Sequence, residues 1–277
     1  MGDYDGTYIS VESVRRTCGI GESEIDDVDV GSTITEIEAQ VPRYFNTVFA
    51  PTERIDILDG DGSNRLFIDK NPLLSVRALK IDETAQDVSY LEINKESGYV
   101  WLGTGSTTNV FKTGRNKVVI KYLYGTVEHS STSTTSSDAE VAGTAVSVAV
   151  ADESSFTAND WVEILGMDGH REVAQVSSTS SGVLVLDQLV ETHESGSTIT
   201  KLQISINFSK LMNLIASIAL VARIIGQSYD ENTGYSLGEL SIQKGEPYTQ
   251  WRETANQFIK ERDQLMSRIM IRPYIIW

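Results

Sequence analysis

RIDILDGDGSNRLFIDKNPLLSVRALKIDE, residues 54–83, alternates short apolar runs with turn chemistry, and its reading decides the fold class. Polar and apolar residues trade places with a period of two through Arg54–Leu58 and Val76–Ile81, the pattern of a half-buried strand. Between them stand Asp59-Gly60-Asp61-Gly62 and Asn71-Pro72, residues that set tight turns. The same grammar continues downstream. Arg65–Asp69, Val88–Asn94, Tyr99–Leu102 and Lys117–Tyr124 read as further strands, parted by Ser97-Gly98 and Gly114-Arg115-Asn116.

On the N-terminal side the period changes to that of helices. Ser10 is placed to cap a short helix carrying Val11, Val14 and Cys18 on one side, and Gly19 stops it. A second helix is expected from about Thr33 to Ala50, with Ile34, Ile37, Val41, Phe45 and Val48 as its stripe and a kink or break at Pro42. On the C-terminal side, Ser130–Ser137 reads SSTSTTSS, a polar tract with little to bury and hence a flexible linker or exposed loop. Ala145–Val150, Trp161–Leu165, Val173–Val176, Val183–Leu186 and Ile199–Leu202 then give closely spaced short strands, as in a small barrel or sandwich. Helical periodicity returns at Ser205–Gly226. After an extended piece at Leu240–Ile242 it returns again up to Met270, with Trp251, Ala255, Phe258, Ile259, Leu265, Met266 and Ile269 on the buried side.

The fold class expected is therefore α+β: a helical core with a small antiparallel β subdomain, plus an inserted all-β module of barrel or sandwich type. The parent core, helices plus β subdomain, would span 1–128 and 203–277, the Ser/Thr-rich linker 129–138, and the inserted module 139–202.

Composition narrows the function. A formal charge of −16 repels phosphate backbones, which argues against nucleic-acid binding through a basic patch. A single cysteine, Cys18, rules out an internal disulfide framework and reads as a packed thiol. The N-terminal MGDYDGTYIS lacks the basic and apolar regions of a secretory signal. Leu211–Ile225 is interrupted by Asn213, Ser217 and Arg223, short of the ~20 apolar residues of a membrane span, so no membrane association is expected.

No catalytic set emerges, and the chain is expected not to be an enzyme. His129, His170 and His193 read as solvated histidines in or beside turns, without the spacing of metal ligands. Counting Asp59 as the first position of a calcium loop places Asn64 where glycine is needed and Lys70 where the closing acid belongs. Gly103-Thr104-Gly105-Ser106 lacks the Gly-Lys-Ser/Thr ending of a phosphate loop, and no Gly-x-Ser-x-Gly elbow is present. No catalytic residue, cofactor or metal is assigned. What stands out is suited to contact: Ile271, Tyr274, Ile275, Ile276 and Trp277 crowd the last seven residues, and Pro273 biases that tail towards an extended form.

The order of these features resembles the head–tail connector (adaptor) family of tailed bacteriophages and related archaeal tailed viruses. The resemblance rests on YISVESVRRTCGI and the helix after it, then on the DGDG…LxL…P…SV pattern supplied by Asp59–Gly62, Leu66, Ile68, Pro72 and Ser75-Val76. NKVVIKYLYG (Asn116–Gly125), INFSKLMNLIASIALVARIIG and SLGELSIQKG (Ser236–Gly245) extend it, so that it covers roughly residues 6–125 and 203–275. Residues 130–202 depart from the shorter members of that family. The resemblance implies a virion structural protein, a homo-oligomeric ring (a dodecamer) beneath the portal at the head–tail junction. Such a ring is assembled in the host cytoplasm, carries a neck, stopper or tail protein below, and lets dsDNA pass its lumen without specific binding. The family's C-terminal segment contacts the portal, which suits Ile271, Tyr274, Ile275, Ile276 and Trp277 as partner-binding residues. A rival reading is an adhesin-type surface protein whose β insertion recognises a host glycan or protein.

Overall fold

The computed structural model describes residues 4–45, 47–95, 97–103, 110–228, 234–237, 240–243 and 247–270. It is an α+β mixture of helices and antiparallel sheets. Two compact units are present, one made of Met1–Phe45 with Ile206–Trp277, the other of Asn46–Ser205.

The first unit is helical. Helix α1 (Val11–Cys18) is closed at both ends as its sequence requires. The Ser10 and Ser13 side chains cap each other's backbone N–H groups, and Gly19, at φ 69°, donates its N–H to the Arg15 carbonyl. Helix α2 (Asp27–Phe45) begins six residues before the expected start at Thr33. The Asp26 carboxylate accepts the Asp29 N–H at 2.8 Å and supplies the cap. Pro42 lies inside the last turn, where it forfeits one hydrogen bond, to the Glu38 carbonyl, and the helix runs on to Phe45. Glu38 in turn holds the N-terminal segment, its carboxylate accepting the N–H groups of Thr7, Tyr8 and Ile9.

Helix α3 (Ile206–Ser228) packs against α1, α2 and the last helix, α4 (Pro247–Met270). Contrary to the expectation from Leu211–Ile225, its Ile206–Ile224 stretch is long and apolar enough to cross a membrane. Here Phe208, Leu211, Met212, Leu214, Leu220 and Val221 are the buried core of the helical unit. Tyr8 and Phe45 set their rings edge-on to Phe208, and Arg223 pairs with Asp29 at 2.8 Å. Strands β14 (Gly234–Leu237) and β15 (Leu240–Gln243) form a hairpin in this unit.

The second unit holds all the other strands. β1 (Thr52–Gly60), β7 (Gly114–Tyr124), β3 (Leu73–Ile81) and β4 (Thr84–Gln86) form one antiparallel sheet in that order, with β1 at its edge. β2 (Arg65–Phe67), β6 (Tyr99–Leu102) and β5 (Leu91–Asn94) form a second. Their inner faces share one core built from Leu66, Ile68, Leu73, Val76, Leu79, Val100, Phe111, Ile120 and Tyr122. The DGDG turn closes as a turn between strands. Asp61 accepts the Ser63 N–H, Gly62 sits at φ 83°, and a Cβ on Gly60 would lie 1.9 Å from the Lys112 carbonyl oxygen.

The third sheet runs β8 (Glu128–Thr135), β13 (Thr198–Gln203), β10 (Trp161–Leu165), β11 (Arg171–Ser180), β12 (Val183–Leu189), β9 (Gly143–Ala149). Its two edges meet: Ser137 donates to Ala149, Ala151 donates to Thr135, and Ser136 bridges Val150. The sheet thus closes into a barrel filled by Val148, Phe156, Val162, Ile164, Val176, Leu184, Leu186 and Ile199.

The SSTSTTSS tract corrects the linker reading of 129–138. Most of it forms strand β8, which pairs with β13 through Ser133–Thr135 and Glu128–His129 on either side of a bulge. Threonine is β-branched and suits a pleated strand, and Thr134 is buried while its hydroxyl accepts the Asp152 N–H at 3.0 Å. The compact units also part the chain elsewhere than at 128 and 203. The barrel's outer face packs on the first sheet through Leu74, Leu123, Val173 and Leu202. Arg77 of β3, its side chain 2% exposed, reaches across to Asp187 of β12 at 2.7 Å and to the Val173 carbonyl at 3.3 Å.

Candidate functional site

Three features of the described surface and interior concentrate chemistry, all within the Asn46–Ser205 unit. The first is a groove of about 550 Å³ between the first sheet and the barrel, floored by Leu74, Val127, Val173 and Leu202. Charged side chains line the rest of it. Glu163 points outward from β10, because the alternate residues Val162 and Ile164 fill the barrel. Its carboxylate, 10% exposed, meets Lys95 at 3.2 Å, His129 Nε2 at 2.6 Å and Arg171 at 3.2 Å. Burial pushes the Glu163 pKa up, but Lys95 and His129 outweigh it and hold the carboxyl below its usual range. Such a group stays ionised and is a poor proton carrier. Glu128, also on the wall, accepts the Ser205 hydroxyl at 2.7 Å.

The second feature is buried at one end of the barrel and corrects the reading of His193 as a solvated histidine. His193 is 2% exposed and its Nε2 lies 3.2 Å from Glu172, itself 3% exposed. Glu172 also accepts the N–H groups of Val190 and Glu191, so it braces the loop that carries His193. His170 and His129 are exposed, as expected of solvated histidines; His170 pairs with Glu191 at 3.2 Å, and His129 lies on β8. Burial foremost raises the Glu191 carboxyl. Among the described residues no three His, Cys, Asp or Glu side chains gather as a metal site. The sequence-local turn signals around His193 gave no sign of Glu172, twenty-one residues away.

The third feature is exposed apolar surface. On the outer face of the four-stranded sheet, Ile55 and Ile57 of the edge strand are each 60% exposed. On the outer face of the three-stranded sheet, Phe67 is 53% and Tyr99 38% exposed, with Trp101 half-buried beside them. Neither face was singled out by the sequence.

Of the residues expected to bind a partner, Ile271, Tyr274, Ile275, Ile276 and Trp277 lie outside the described residues, as do Thr104, Gly105 and Ser106. Cys18 is buried, and its thiol donates to the Val14 carbonyl.

No protein-family model matches the sequence, and no curated protein matches it. Among solved structures, a similar chain is the Gp54 tailspike of Acinetobacter baumannii bacteriophage AP22, in complex with A. baumannii capsular saccharide. The two share 20% identity at a TM-score of 0.25, over 29% of this chain and 15% of the tailspike, so the match spans under a sixth of that protein's length. A likeness of that extent establishes neither a shared fold nor a shared activity.

Proposed function

We propose that this chain is a non-enzymatic virion structural protein, a head–tail adaptor that forms a ring beneath the portal, extends the DNA channel and joins the capsid vertex to the neck or tail. The observation that carries the reading is the outer face of the edge strand β1. Ile55 and Ile57 stand side by side and 60% exposed, on a strand with one neighbour among the described strands. Exposed aliphatic pairs on an edge strand invite a partner, and in a ring each subunit offers such a surface to the next through a heterologous contact. The charge of −16 fits a lumen along which DNA slides without sticking. The order of elements quoted for the connector resemblance supports the same reading, with Ile271–Trp277 as the portal contact.

The test is assembly. Purified protein, alone and mixed with the portal of the same virus, is sized by light scattering and imaged in negative stain. Rings are expected, and Ile55→Asp with Ile57→Asp should leave folded monomers. Deleting residues 271–277 should leave rings that no longer join the portal. A monomer under both conditions overturns the adaptor reading. A second reading, surface recognition of a host glycan or protein, is favoured by the groove that Glu163, Arg171 and Val173 help to line. It would show as cell binding lost in Arg171→Glu while assembly is intact.

A further inference from the structure

The outer face of the three-stranded sheet carries aromatic and hydrogen-bonding side chains and no aliphatic ones. Its six outward positions fall into two rows across the strands. Phe67, Tyr99 and Asn94 stand opposite one another in the first, and Arg65, Trp101 and Glu92 in the second. Three are aromatic, three are polar hydrogen-bonding groups, and none is aliphatic. The alternate residues Leu66, Val100, Leu102 and Leu91 all turn inward to the core. The sheet thus separates its aliphatic side chains from its rings completely.

The rings form a continuous track. Phe67 and Tyr99 have centroids 5.4 Å apart, and Tyr99 and Trp101 5.8 Å apart with their planes only 32° from parallel. Tyr99 and Trp101 therefore present similarly oriented faces in a line along β6. Leaving such rings in water forgoes a large burial term, since each aromatic side chain carries an apolar area of ~150–250 Å². A patch of this kind on a soluble surface marks a binding site.

The polar partners say what binds. Arg65 and Asn94 offer N–H donors, Glu92 and Asn94 offer acceptors, and the Tyr99 hydroxyl offers both. Arg65 and Glu92 cancel in charge, so the patch is locally neutral on a chain of −16. Pyranose sugars have the matching chemistry: C–H-bearing faces that stack on rings, and rims of hydroxyls that both donate and accept. An acidic polymer would be repelled by the chain as a whole. Trp, Tyr and Arg also anchor protein partners, but there they sit among further apolar surface, whereas every non-aromatic outward position of this sheet is a hydrogen-bonding group. We infer that Phe67, Tyr99 and Trp101, with Arg65, Glu92 and Asn94, form a binding platform for a neutral oligosaccharide. The platform lies in residues 65–101, on a different sheet from Ile55 and Ile57, and the inference does not rest on ring assembly.

The experiment titrates the full chain with cellohexaose, maltohexaose and the N-acetylglucosamine hexamer, each to millimolar concentration, using saturation-transfer difference NMR and the protein's aromatic side-chain signals. At least one hexasaccharide should bind saturably and shift the Tyr99 and Trp101 ring signals. Tyr99→Ala and Trp101→Ala should each weaken it by about two- to tenfold, the range set by one aromatic contact. Trp101→Phe, which keeps a stacking face, should restore most of the loss, and the oligomeric state should be unchanged throughout. Three results overturn the inference: no hexasaccharide binds, binding survives Tyr99→Ala with Trp101→Ala, or that double variant dissociates the assembled protein. The last would make this face a seam between proteins.

Discussion

Asp187 and Arg77 form an unequal pair, and the inequality can be measured. The Arg77 guanidinium is 2% exposed while the Asp187 carboxylate is 32% exposed. Replacing Asp187 by Asn keeps an oxygen for the Gln175 N–H, which donates at 2.8 Å, but strands the Arg77 charge in the interior with the Val173 carbonyl. Orphaning a buried charge costs ~3–5 kcal/mol. Because water reaches the Asp187 side of this pair, about 2–4 kcal/mol is the expected loss. Arg77→Met instead removes the charge from the dry side, fills the space with an aliphatic chain and relieves Arg77 Nε, which is buried without a hydrogen-bond partner. The carboxylate left behind is partly solvated, so the cost should be about 1–2 kcal/mol. The double variant should cost little more than Arg77→Met alone, since its Asn no longer strands anything. Urea unfolding followed by tryptophan fluorescence and circular dichroism gives the three values. The reasoning is refuted if Asp187→Asn costs no more than Arg77→Met, or if the two add within ~0.5 kcal/mol.

Three further outcomes follow from the same structure. Thr134 is in phase with Ser136, whose N–H donates to Ser197, so Thr134→Pro should break a rung of the β8–β13 ladder and cost on the order of 2–3 kcal/mol by urea unfolding; a flexible linker would tolerate it. Glu163 has a depressed folded pKa, so its contribution is present above the ordinary carboxylate range and lost as pH falls through the folded value. The stability gap between the native chain and Glu163→Gln should therefore narrow on acidification from neutral pH, and a constant or widening gap would contradict the ion cluster. Burial raises the Cys18 thiol pKa, with Ser217 only partly opposing it, so a disulfide reagent at mild alkaline pH should label Cys18 in denaturant but not in the native protein.

Much of the architecture was legible because period-two runs bounded by Gly, Asp and Asn leave little freedom. Tyr99–Leu102 and Trp161–Leu165 occupy their expected limits, and α1 is closed by the Ser10 hydroxyl at one end and by Gly19, free to take a positive φ, at the other. The start of α2 was missed because Gly31-Ser32 reads as a break followed by a cap, although Val30, four residues before Ile34, carries the buried stripe back towards the actual cap, Asp26. The Ser/Thr strand was hidden because a polar tract becomes a strand only through partners some sixty residues later. The aromatic face was hidden for a different reason. Arg65-Leu66-Phe67-Ile68 and Tyr99-Val100-Trp101-Leu102 are nearly all apolar, so hydropathy alternation cannot tell their two faces apart. The distinction lies in shape and π-character, aliphatic inward and aromatic outward.

The barrel begins and ends at one place. Glu128 opens β8, Gln203 closes β13, and the two residues face each other across the ladder, as do His129 and Leu202. A segment whose entrance and exit are already neighbours can be gained, lost or exchanged through a single crossing point without moving the chain on either side. Replacing it would call for only a tight turn between Glu128 and Gln203. What anchors it is then not its connection but the Arg77–Asp187 bridge and the Leu74, Leu123, Val173 and Leu202 contact. A lineage that swapped this cassette would be free to change its contents but obliged to keep that seat.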